Sequence, residues 1–208
     1  MSLKSHITAV AIELFSRNGI KRVSMDDVAR KANVSKRTLY DFFRDKESLL
    51  IEMLNQMSEP YVEYIGTLEK QSNKALEIML LFNEKLMEGP VWLCDDFLED
   101  IKRYPVAFQV LLEGKRLFLN KTVELLRQGA KEGVFMDDIN YDIISMLVQK
   151  QMNKLEPSKI YAKYTHEEVH NTMLFIFLRG ICTDAGRSIL DKYIIKKRYG
   201  KGLAFGEL

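Results

Sequence analysis

Ser24-Met25-Asp26-Asp27-Val28-Ala29-Arg30-Lys31-Ala32-Asn33-Val34-Ser35-Lys36-Arg37-Thr38-Leu39-Tyr40-Asp41-Phe42-Phe43 is the stretch on which the reading turns. A serine with an acid three residues on is a helix N-terminus signature, so Ser24 and Asp27 open a short helix from Met25 to about Ala32. Val28 and Ala29 face inward on it. Asn33-Val34-Ser35 breaks the helix, because asparagine tolerates the left-handed conformation of a tight turn. Ser35 can then cap a second helix starting at Lys36. There Leu39, Phe42 and Phe43 fall at i, i+3 and i+4 and form an apolar back. Lys36, Arg37, Thr38, Tyr40 and Asp41 make up the other face.

Upstream, Ile7, Val10, Ala11, Leu14 and Phe15 make one apolar stripe on a helix from about Lys4 to Asn18, which Asn18-Gly19 ends. That stripe can pack across both short helices, giving a tri-helical helix-turn-helix. On its outer face Lys36 and Arg37 can neutralise phosphates or fork onto guanine. Thr38 and Tyr40 can bond phosphate oxygens. Ser24 and Ser35 leave helix N-terminal amides facing outward.

Downstream, longer helices are expected, punctuated by proline. Asp45-Lys46-Glu47-Ser48 opens one that Pro60 should kink or end. Others span about Asn73 to Glu88, Trp92 to Arg103, and Pro105 to Lys131, with Gly129 and Gly133 marking the last one's end. Asp137-Asp138-Ile139-Asn140 opens a helix ending near Pro157. Thr165-His166-Glu167-Glu168 caps a single long final helix, about His166 to Tyr193. Strict alternation is missing, so the fold class is all-α.

Composition narrows the function. The chain has 208 residues, 47% apolar, enough for a core and for one or two domains. Net charge is +2, which disfavours a polycation that coats nucleic acid. Residues 1–50 nevertheless carry ten basic and six acidic side chains, while the rest carry 21 and 23. One basic end on a near-neutral body suits a module that meets a polyanion. Two cysteines without a Cys/His cluster argue against a zinc site or a disulfide scaffold. The first residues lack a signal-peptide core, and the longest apolar run, residues 173–178, is far short of a membrane span. A soluble, cytoplasmic protein is expected, with no membrane partner, cofactor or metal.

The run Ala29-Arg30-Lys31-Ala32-Asn33-Val34-Ser35-Lys36-Arg37-Thr38-Leu39-Tyr40-Asp41-Phe42-Phe43, then Lys46-Glu47-Ser48-Leu49, resembles the DNA-binding domain of the tetracycline-repressor (TetR) family of bacterial regulators. Ala11-Ile12-Glu13-Leu14-Phe15 with Gly19, and Ser24 with Asp27-Val28-Ala29, fit as well. The motif covers about residues 6–50. The resemblance implies about nine helices, with a DNA-binding domain at 1–48 and a ligand-binding and dimerisation domain at 49–208. It also implies transcriptional regulation of double-stranded DNA by a homodimer that answers to a small-molecule effector. By position, Ser24, Ser35, Thr38, Tyr40 and Lys46 match places that contact the DNA backbone. Lys36 and Arg37 match places that reach bases or phosphate. The chain departs from the usual pattern at Asn33, Arg37, Asp41 and Phe42. Near phosphates Asp41 would be repelled, so either it points away or it accepts from a cytosine amino group.

Apolar faces suggest how two copies meet. Ile139, Ile143, Ile144, Leu147 and Val148 form one. Met173, Leu174, Phe177, Ile181 and Ala185 form another, with Gly180 allowing close approach. Ile143, Leu147, Leu174, Phe177 and Ile181 are the interface candidates. Met and aromatic residues of the middle helices suit an apolar or aromatic ligand, with polar groups to orient it. The pocket candidates are Phe82, Asn83, Trp92, Phe97, Tyr104, Phe108, Phe118, Met146 and Gln149. The run His166-Glu167-Glu168-Val169-His170 meets a zinc-protease pattern, but no third ligand follows, so no enzyme is expected. A repressor released by its ligand is the favoured function. A helical small-molecule-binding or catalytic protein, or an interaction scaffold, are the alternatives.

Overall fold

A computed structural model describes residues 2–71, 74–88, 93, 95–154, 160 and 163–199. The described residues hold ten α-helices: α1 Leu3–Asn18, α2 Met25–Lys31, α3 Lys36–Phe42, α4 Lys46–Lys70, α5 Ala75–Glu88, α6 Asp95–Asp100, α7 Pro105–Lys131, α8 Tyr141–Lys154, α9 His166–Ile181 and α10 Asp184–Tyr199. A 3-10 turn, Ile101–Arg103, follows α6. None of the described helices is long and apolar enough to cross a membrane.

The chain divides into two compact units. One comprises Met1–Leu68 and Glu84–Phe118, the other Glu69–Asn83 and Leu119–Leu208. The first is built around fully buried Ile7, Ala11 and Phe15 of α1, which meet Val28 of α2, Leu39 of α3, and Leu49, Leu50 and Met53 of α4. Each large side chain buried this way contributes roughly 1.5–3 kcal/mol. Phe97, Ile101 and Ala107 join the same core. Gly19 ends α1 at φ +77°, and a Cβ there would stand 2.8 Å from Cβ of Asp96. Only glycine admits both that backbone and that approach of α6.

The second unit packs Leu76 and Leu80 of α5, Leu126 of α7, Leu178 of α9, and Leu190 and Tyr193 of α10 around Phe135. One expectation fails here, and in α4 one of two alternatives is removed. The final helix is not single. Cys182 is extended (φ −72°, ψ 139°) and forms an isolated antiparallel bridge with Phe135. Met136 N–H donates to Ile181 O at 2.9 Å, and Thr183 N–H to Val134 O at 3.1 Å. Thr183 then caps α10, its Oγ1 accepting from Gly186 N at 3.2 Å. Helical periodicity runs through the break because the break is made by a partner segment far away in sequence. Pro60 does not end α4, which continues to Lys70. The site is exposed, so water can serve the carbonyl whose N–H partner proline removes.

Candidate nucleic-acid interface

Local bonds build the helix-turn-helix as the residues suggest. Ser24 and Asp27 close a capping box: Ser24 Oγ accepts from Asp27 N at 3.1 Å, and Ser24 N donates to Asp27 Oδ2 at 2.9 Å. Asn33 sits at φ 55° in the turn. Ser35 Oγ accepts from Thr38 N at 3.0 Å and lies 2.8 Å from Thr38 Oγ1. The hydroxyls of Ser24, Ser35 and Thr38 therefore order helix starts while standing at the module's surface.

Hydrogen bonds from the Ser24 hydroxyl, then from its backbone N–H, with help from Arg30, hold the Asp27 carboxyl below its ordinary value of 3.8. The folded state thus binds this proton less readily than the unfolded chain. Its contribution to stability is complete above pH 3.8 and is lost as pH falls through the lowered value. Asp27→Asn is expected to melt below the wild type at pH 6, with the gap closing near pH 2. Thermal melts followed by circular dichroism at both pH values check it. A gap that persists in acid would show that the charge is irrelevant.

At 100° per residue, α3 turns Leu39 and Phe43 inward, 0% and 2% exposed. Arg37 and Asp41 project on the opposite side, with Thr38 beside them. Lys36 and Tyr40 occupy one flank and Phe42 the other. Arg37, Asp41, Lys36 and Tyr40 are exposed. Phe42 is a correction to the expected apolar back: at the last position of α3 it is 42% exposed. It adds an apolar contact to the outer face that its i+3 spacing concealed. Lys36 Nζ is held by Asp26 of α2, at 2.9 Å from Oδ1 and 3.0 Å from Oδ2. That bond and charge raise the Lys36 pKa, so the side chain stays cationic.

Lys46 has a different task from the one expected. It is half-buried, and its ammonium donates to the carbonyls of Ile20 and Val23 in the loop between α1 and α2, above the Phe15 ring. Burial is the main cause of its lowered pKa. It fastens the loop instead of reaching outward. Glu47 beside it was not singled out by the sequence. Its Oε1 accepts from Val106 N at 2.7 Å and Ala107 N at 3.3 Å, capping the first turn of α7 from another helix. Asp100 likewise accepts from Lys21 N at 2.6 Å, and Arg22 pairs with Asp96 at 3.2 Å. Such pairs join residues tens of positions apart, for which a sequence carries no spacing signal.

The pocket candidates are distributed over both units. Phe97 is fully buried in the first unit's core, with Tyr104 and Phe108 packed against it. Phe82 and Asn83 are buried in the second unit, where Asn83 Nδ2 donates to Asn171 Oδ1 at 3.0 Å. Phe118 and Met146 are 49% and 63% exposed. Trp92 and the Gln149 side chain lie outside the described residues. Met146 does line a concavity of about 300 Å³ with Leu119, Asn120, Val123, Arg127, Asp142 and Ser145. The interface candidates also divide. Ile143 and Leu147 are exposed on α8, and Leu174 and Phe177 are half-buried on α9. Ile181, at 3%, belongs to the second unit's core because the Phe135–Cys182 bridge draws it inward. Ile176, which was not singled out, is 67% exposed, and Gly180 faces open space.

A tri-helical module with such a face, followed by an all-helical body, defines a helix-turn-helix protein. Residues 7–53 match the family described as bacterial regulatory proteins, tetR family. It is 32% identical over 84 residues to the HTH-type transcriptional regulator QacR of Staphylococcus aureus, a match covering 40% of this chain and 45% of that one. Matches to the first three curated relatives span 22%, 40% and 45% of their lengths. Among solved structures, the TetR family protein CprB from S. coelicolor A3(2) has a TM-score of 0.71 at 16% identity, over 95% of this chain and 97% of that one. FadR from Bacillus subtilis, solved in complex with stearoyl-CoA, has 0.64 at 20% identity, over 85% and 98%. These likenesses show a shared fold.

Proposed function

We propose that the protein is a dimeric transcriptional regulator that binds a palindromic double-stranded operator and releases it when a small apolar or aromatic molecule binds. The outer face of α3 carries the reading: Lys36, Arg37, Thr38 and Tyr40 stand on a helix locked by Leu39 and Phe43 onto a rigid tri-helical core. Cations and hydroxyls at that place fit phosphate and base edges. Residues 1–48 serve DNA and 49–208 serve the ligand and the second copy. Ser24, Ser35, Thr38 and Tyr40 are assigned to the DNA backbone, Lys36 and Arg37 to bases or phosphate.

A single helix-turn-helix reads too few base pairs for a genome, so two copies about 34–36 Å apart are required. Ile143 and Leu147 form an exposed apolar stripe on α8, 55% and 56% exposed, and Ile176 beside open Gly180 forms another on α9. Facing stripes from two chains make a four-helix bundle. The effector is assigned to the concavity lined by Asn120, Val123, Ser145 and Met146, whose size is at the lower end for ligand sites. Differential affinity for two arrangements, worth about 1–3 kcal/mol, is the usual scale of such control. Lys46 and Glu47, which bond the start of α4 to the α1–α2 loop and to α7, are the lever.

The reading includes no catalytic step. Glu167, the base of a zinc-protease pattern, pairs with Lys197 at 3.1 Å, and His170 is mostly buried, its pKa lowered by desolvation.

Fluorescence polarisation with the promoter DNA adjoining the coding region tests the reading. Lys36→Ala is expected to weaken binding and to reduce the slope of log affinity against log salt by about one unit. An unchanged slope removes Lys36 from the phosphates. No binding at any salt removes the function.

A further inference from the structure

We propose that Asp41 reads the operator directly, accepting a hydrogen bond from a cytosine amino group, while Arg37 one turn earlier reads a guanine of the adjacent base pair. The inference rests on the DNA-binding reading above and says which bases it recognises.

The argument begins with what the other acids do. Glu13 pairs with Lys31 at 2.8 Å, Asp26 with Lys36, and Glu52 with Lys4 at 2.8 Å. Asp27 closes the capping box. Asp45 Oδ1 accepts from Ser48 N at 2.8 Å at the start of α4, and Glu47 caps α7. Among the described residues 2–53, Asp41 is the one carboxylate left without a hydrogen bond or ion pair. Arg37 is likewise untied, whereas Lys36, Lys31 and Arg30 are all paired.

Position then decides the meaning. Leu39 and Phe43 define the inward direction of α3, and the bisector of their directions points directly away from residue 41. Asp41 is thus the outermost point of the helix, not a flank residue that can swing to solvent. Arg37 lies on the same face at i−4, where side chains are neighbours. With α3 in a major groove, the outermost position meets the groove floor, away from the two phosphate rims. On that floor the only donors are the amino groups of cytosine and adenine, and a carboxylate suits the cytosine amino group. The guanidinium beside it matches O6 and N7 of guanine, and its charge offsets that of Asp41. The two side chains together specify two neighbouring G·C pairs, one by its cytosine edge and one by its guanine edge. Contacts of this type discriminate by about five- to 150-fold against a wrong base.

Selection from random-sequence duplex DNA with the full-length protein, followed by sequencing, tests this. The wild type is expected to enrich an inverted repeat with a cytosine preference in each half-site. Asp41→Ala should erase that preference by about five- to 150-fold and leave the other positions as they were. Asp41→Asn should move it toward adenine, which an amide matches at N6 and N7. Arg37→Ala should lose the neighbouring guanine. Circular dichroism confirms that each exposed-site variant folds. If Asp41→Ala merely tightens binding to all sequences, Asp41 is a repulsive charge near the backbone and the inference fails while the regulator reading stands. If it loses the guanine and keeps the cytosine, Asp41 only orients Arg37 and the inference fails too. If the wild type enriches no motif, the DNA-binding reading itself is overturned.

Discussion

Leu147→Glu combined with Ile176→Glu is expected to turn a dimer into a folded monomer and to weaken binding to a palindromic operator about 10²–10⁴-fold. Both side chains are more than half exposed, at 56% and 67%, so the single chain loses little packing. Surface changes of this kind usually shift stability by less than ~0.5 kcal/mol. In a dimer the same positions are covered, and four carboxylates brought into an apolar seam are desolvated without partners. Binding then reverts from two linked half-sites to one. The advantage of linkage is about 10²–10⁴ in affinity, which sets the expected loss. Light scattering gives the mass and polarisation gives the affinity. A wild type that is monomeric at micromolar concentration, or a variant that keeps full operator affinity, would refute the interface.

The second large effect lies in the core of the second unit. Gly129 is on α7, and a Cβ there would stand 2.2 Å from Cδ2 of Phe135, whose ring is 1% exposed. Phe135 fills the space that the missing side chain leaves. Phe135→Ala is expected to cost about 3–5 kcal/mol through lost burial and a residual cavity. Gly129→Ala should cost about 1–3 kcal/mol by overpacking, although alanine is the better helix former. The double variant should be more stable than the sum of the two losses implies, because the methyl then enters the space vacated by the ring. Chemical denaturation of all four proteins measures the coupling. Strict additivity would mean that the two residues do not share that space.

Much of the fold was legible because its signals are local. A capping box needs four residues, a tight turn one asparagine, and an amphipathic stripe a few turns. Ser24, Asp27, Asn33 and Ser35 each carry their own instruction, and the structure places helices where they direct. Phe42 shows the limit of periodicity. Its spacing from Leu39 matched the core, but at the helix end, with Phe43 already extended, its side chain faces outward. The pocket candidates show another limit. An aromatic at helical spacing says that it will be covered, not by what, and Phe97 proved to be covered by the helix-turn-helix core.

The sequence by itself determined an all-helical chain, its amino-terminal tri-helical module and the cationic, hydroxyl-bearing outer face of α3. All of these follow from interactions between residues a few positions apart. Tertiary structure alone decided that residues 135 and 182 would meet and split the last helix in two. It alone decided that Lys46 and Glu47 would fasten neighbouring elements, and that Asp41 would remain the uncommitted acid of its module. Those outcomes depend on which distant groups the packed helices bring within hydrogen-bonding distance, and contacts closed over tens of residues leave no periodic trace in the sequence.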